Sequence, residues 1–131
     1  MAHFVAGLDA LAVNRPRIAL EICRSQDPDH GWLRGMPRSW EVVTSAHHML
    51  GEHDLELRAA ARARRSFPAL ISALAWEARA LAAAGQVEAL AGCLRAAADL
   101  PPQPGWSPAG VTLVAVAELR AHDHPAAAET W

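Results

Sequence analysis

The chain has no lysine and no tyrosine, two cysteines and two phenylalanines, and a formal charge of only -2. Each shortage excludes something. Arginines alone set against a slight excess of carboxylates do not describe a surface built to neutralise a phosphate backbone, so general nucleic-acid binding is set aside. Cys23 and Cys93 lie far apart in the chain without a Cys-x-x-Cys spacing, too few for a disulfide framework, which predicts a reducing, cytoplasmic setting. Largely apolar stretches such as Val111 to Ala117 are far too short to cross a bilayer. Met1 to Asp9 lacks the cationic start of a secretory signal, so no membrane role is expected. Leu, Ile, Val and Phe together make up only about a fifth of the chain, which argues against a strand-dominated fold.

What the chain has instead is alanine, nearly a quarter of its length. Such a composition favours helices that approach closely across small side chains. Apolar residues recur at helical spacing nearly throughout, and the breaks carry start and stop chemistry. Helices are predicted over 2–12 and from Pro16, the latter with Ile18, Ile22 and Cys23 on its stripe. A long Pro- and Gly-containing loop with Trp32 follows. The next helix runs over 38–50 with Trp40, Val43, His47 and Leu50 inward, capped by Gly51, and another over 53–67 with Leu55, Ala59, Ala60, Ala63 and Phe67 inward. Pro68 is expected to open a fifth helix striped by Ile71, Leu74, Ala78 and Leu81. A sixth carries Val87, Leu90, Leu94 and Ala97. Ser107 and Pro108 cap a seventh through Val111, Val114 and Glu118, and Pro125 starts an eighth that stops at Trp131.

These punctuation marks repeat. One and the same offset separates Gly51 from Gly85, Pro68 from Pro102, Ala63 from Ala97, and the bulky Trp40 from Leu74. The turns at Asn14 and Asp123 extend the series outward in both directions at a slightly longer spacing. The chain therefore reads as four helical hairpins, over 1–26, 37–68, 69–102 and 107–131, in a single domain.

A helix-turn-helix period of about 34 residues resembles the tetratricopeptide-repeat family, best between Arg38 and Pro102. Trp40, Gly51, Ala60, Ala63 and Pro68 resemble that family's bulky, turn, small and closing positions, and Leu74, Gly85, Leu94, Ala97 and Pro102 repeat them. His47, Glu56 and Glu77 depart from the pattern by placing polar groups where apolar ones are usual. The resemblance implies an all-α, short right-handed solenoid of about eight helices, and a non-catalytic scaffold that receives a partner protein or peptide on its concave face. The groove would be lined by Arg38, Glu41, Ser45 and His48 from one helix and by Ala75, Arg79 and Ala82 from the corresponding one. Two arginines there suit a partner bearing carboxylates. An array buries each hairpin against the next, so the uncapped run Ala126 to Trp131 suggests a fragment of a longer protein, or a homodimer through the terminal hairpins.

Residue types that could carry other chemistry lack the arrangement it needs. His47 and His48 project about 100 degrees apart on a helix, so they do not share one ion unaided. His48 with Glu52 would hold an ion weakly, and a packed His47 with exposed turn histidines is preferred, so no metal and no cofactor are expected. Ser45 with His48, or Cys93 beside Leu94, lacks a strained elbow or an oxyanion loop, so no catalytic residue is assigned. Arg58, Arg62 and Arg65 form a local basic patch that Asp54, Glu52 and Glu56 compensate at helical spacing. Trp32 and Trp106 are read as plugs between hairpins. Arginine without lysine is the habit of GC-rich bacterial genomes. Self-association and a ligand or metal pocket near His47 and His48 stand as the competing functions.

Overall fold

The computed structural model describes residues 2–24 and 37–131, and these are helical with no strand among them. Eight helices follow one another among the described residues: α1 (Ala2–Ala12), α2 (Pro16–Arg24), α3 (Arg38–Met49), α4 (His53–Ser66), α5 (Ile71–Ala83), α6 (Val87–Ala98), α7 (Pro108–Ala121) and α8 (Pro125–Ala128). None of them is long and apolar enough to cross a membrane. The Trp32 loop lies outside the described residues. The chain divides into two compact units, Met1–Ala59 and Ala60–Trp131, and the division falls inside α4.

Four turns close the hairpins, and they share one geometry. Gly51 and Gly85 both sit at φ +70, Asn14 at +58 and Asp123 at +63. In each, the left-handed residue donates its N–H to the carbonyl three back, and the next residue donates to the carbonyl five back. Gly51 reaches His48 and Glu52 reaches His47; one period on, Gly85 reaches Ala82 and Gln86 reaches Leu81. Asn14 with Arg15, and Asp123 with His124, make the same pair of bonds to Leu11 and Ala10, and to Arg120 and Leu119. This paired bonding satisfies helix-end carbonyls that otherwise lack a partner. The repeat seen as spacing in the sequence is thus a repeat of backbone geometry.

In the first unit, α1, α2 and α3 pack pairwise. Ala10, Ala19, Cys23, Val42 and Ala46 form the core, with Leu8, Leu11, Leu20 and Val43 against it. The approach is close enough that a Cβ on Gly7 would stand 3.0 Å from Val42 Cγ1. Here the expected stripes shift. Ile18 is exposed while Ala19 is buried, and Val42 rather than Val43 is fully enclosed, because small side chains on α1 and α2 admit the neighbouring helix most closely along the alanine line. On α4 the expected Leu55 is exposed and Glu56 is buried in its place.

In the second unit α5 is the hub. It packs on α6 and α7, α6 packs on α7, and α7 on α8. Most of its residues are buried, on every side, so no single stripe describes it. It starts at Ile71, not at Pro68: Leu70 donates back to the Phe67 carbonyl in a turn, and the side chain of Gln103 then takes over the helix start. Gln103 Oε1 accepts from the Ile71 N–H at 2.9 Å and its Nε2 donates to the Ala69 carbonyl at 2.7 Å. At the start of α7, Ser107 Oγ accepts from the Gly110 N–H at 3.1 Å with Pro108 in the first turn, as the sequence predicts.

Candidate functional site

The residues expected to line a groove divide between the two units. On α3, Arg38 is exposed and its Nε donates to Glu41 Oε2 at 3.0 Å, a pair within its own helix, while Ser45 and His48 are half-buried. On α5, Ala75 and Ala82 are buried at 2% and 0% exposure, so of the three expected α5 positions Arg79 alone keeps surface. Helical periodicity places all three on one outward face. That inference fails where a helix is packed on most sides. Arg58, Arg62 and Arg65 are exposed along α4. Their neighbour Arg64 turns to Glu77 on α5, its Nη1 donating to both carboxylate oxygens at 3.2 and 3.0 Å.

Glu52 and Glu56 each meet imidazoles. Glu52 lies in the turn after Gly51, and its Oε1 is 3.3 Å from His47 Nδ1. Glu56, with no exposed surface, lies between two imidazoles. Nδ1 of His48 is 3.0 Å from each of its carboxylate oxygens, and Nδ1 of His53 is 2.9 Å from Oε1. The two rings stand 5.3 Å apart at 59°. His48 therefore meets Glu56 and not the weak candidate Glu52, and His53 is half-buried where exposed turn histidines are expected. The paired turn bonds at Gly51 reverse the chain, which lays the first turn of α4 beside the last turn of α3 and makes Glu56, eight residues on, the neighbour of His48. All three polar departures from the apolar pattern, His47, Glu56 and Glu77, take part in side-chain pairs.

Both cysteines are buried and unlinked. Burial raises the Cys23 thiol. Burial first, and the Glu77 charge second, push Cys93 up to about 12 against the opposing pull of Arg64. Cys93 Sγ donates to the Leu74 carbonyl at 3.3 Å. These thiols fill space, as their helical stripes predict, and are the opposite of an activated nucleophile.

The first unit also carries a surface feature that the sequence does not announce. Residues 14–18 at the α1–α2 turn, with Met49 and Leu50 at the end of α3, surround a concavity of about 530 Å³. Ile18 and Met49 are exposed at 42% and 43%, and Arg15 and Arg17 stand at its edge. Among the described residues neither of these guanidiniums has an ion-pair partner. An isoleucine beside two arginines at a helix start is the available signal, but the helical stripe assigns Ile18 to the core. No protein-family model, curated protein or solved structure matches the chain.

Proposed function

We propose that this chain is a non-catalytic, tetratricopeptide-like interaction module of a bacterial cytoplasm, and that its first unit receives a segment of a partner protein. One observation carries the reading: the concavity beside the α1–α2 turn joins an apolar floor, Ile18 and Met49, to two arginines, Arg15 and Arg17, whose charges are not paired with a carboxylate among the described residues. That combination fits a peptide presenting one large apolar side chain next to carboxylates. The apolar group gains by leaving water, and each guanidinium can grip a carboxylate in a two-pronged bond. The groove moves from the Arg38 and Arg79 faces to this surface because Arg38 is held by Glu41 and α5 is largely enclosed.

Selection of a displayed random-peptide library on the intact chain tests the proposal. Enriched peptides should pair Asp or Glu with Leu, Ile or Phe, and the double substitution Arg15→Ala, Arg17→Ala should weaken a selected peptide about tenfold or more. Selected peptides without acidic enrichment, or ones insensitive to that substitution, would remove the basis of the reading.

Self-association is the second reading, and it draws on Leu113, 70% exposed, and Trp131 in the second unit. Sedimentation that gives the same monomer mass across a hundredfold range of concentration would discard it.

A further inference from the structure

We propose that His48, His53 and Glu56 form a binding site for one divalent transition-metal ion of the zinc class. Their ligand atoms, two imidazole nitrogens and a carboxylate oxygen, lie within 4.8 Å of one another. Two His and one Glu are a donor set that zinc accepts, with a further position left for water or another ligand. The spacing also fits. Metal–ligand bonds of about 2.0–2.2 Å in a tetrahedron set neighbouring donors about 3.3 Å apart. The nitrogen-to-oxygen separations here are 2.9 and 3.0 Å, so those two pairs need to open by only a few tenths of an ångström, while the two nitrogens lie within 4.8 Å of each other.

The backbone already holds these donors in place. His53 and Glu56 are three residues apart on the first turn of α4 and so share a face, while His48 comes from the last turn of α3 across the Gly51 turn. Both histidines present Nδ1, so binding requires each ring to keep its proton on Nε2. Exposure is graded in the right order for an ion entering from solvent. The Glu56 side chain is 0% exposed, and the His48 and His53 side chains are 21% and 19% exposed. A divalent ion would meet the buried carboxylate with a charge of opposite sign. Two neutral rings and one carboxylate leave a bound ion with a single net positive charge, which suits an anionic or water ligand at the remaining position.

The test is calorimetric titration of the tag-free full chain with zinc chloride, joined to the visible spectrum of the cobalt(II) form. One ion per chain is expected, with cobalt absorption bands of a four- or five-coordinate site and a rise in melting temperature on adding zinc. Substitutions that disturb only the partners of a metal ligand cost about 10–100-fold in affinity, so losing a ligand through His53→Ala or Glu56→Gln should cost about 100-fold or more. His47→Asn, outside the cluster, should leave binding unchanged. No stoichiometric uptake by the wild-type chain overturns the proposal, as does affinity unchanged in His53→Ala, or an equal loss in His47→Asn. If circular dichroism shows that Glu56→Gln has lost helicity, His53→Ala decides, because that ring is partly exposed and leaves the carboxylate with His48.

Discussion

Single residues in this chain are decided by what lies within a few ångströms, and Gly85 and Gly51 show it. Both occupy the left-handed region, where an L side chain costs roughly 1–2 kcal/mol. A Cβ at Gly51 would meet nothing within 4 Å, but at Gly85 it would stand 2.7 Å from the His124 ring. Gly51→Ala should therefore cost about 1 kcal/mol and Gly85→Ala distinctly more, measured by urea unfolding; equal losses would refute the contact. Cys93 supplies a pH prediction. Its thiol is held up to about 12 in the fold against an ordinary value of 9.0, so its neutral form is favoured by folding. The stability this contributes is complete below about pH 9 and is lost as pH rises toward 12, since the unfolded chain ionises first. Cys93→Ala should flatten the alkaline part of the stability curve, and the native thiol should resist a disulfide reagent at mildly alkaline pH.

At the scale of elements, one side chain sets where α5 begins. Gln103 bonds both the Ile71 N–H and the Ala69 carbonyl, so Gln103→Ala removes two bonds from one helix start and should destabilise by about 1–2 kcal/mol. The same substitution at exposed Gln86 should be nearly silent in the same unfolding experiment. The helices, their order and their turns are legible in the sequence because Gly51, Gly85, Ser107 and Pro108 act within a few residues of themselves. The start of α5 is not, since its cap comes from 32 residues away. Helix faces are legible in proportion to how one-sided the packing is: α6 buries Leu90, Leu94 and Ala97 as its stripe predicts, and α4 hides Glu56 while exposing Leu55. Periodicity weighs residue type alone, and a carboxylate is taken into the interior here because two imidazoles, one of them from across a turn, meet it. The His48–Glu56–His53 cluster is out of its reach for the same reason, although each member stands in plain view.

Across the whole molecule, burial is distributed unevenly, and resistance to local opening should follow it. Native-state hydrogen exchange should find the slowest amides in α5, whose residues from Ala73 to Trp76 and from Ala80 to Ala83 are consecutively buried, and faster exchange in the short α8. Slowest exchange in α8 would contradict the central place of α5. Each hairpin is closed by its own turn bonds, so stability in such a chain is built from local pieces and their neighbours.

The crowding around α5 also constrains descent. Alanine at positions 73, 75, 78, 80, 82 and 83 sits where almost any replacement is larger, and glycine at those positions weakens the helix. Mutation at these sites has nowhere neutral to go. Over evolutionary time α5 should change most slowly while exposed stretches such as the end of α7 drift, so diverged relatives will be easiest to recognise by a short alanine-spaced helix bearing Leu74, Trp76 and Leu81.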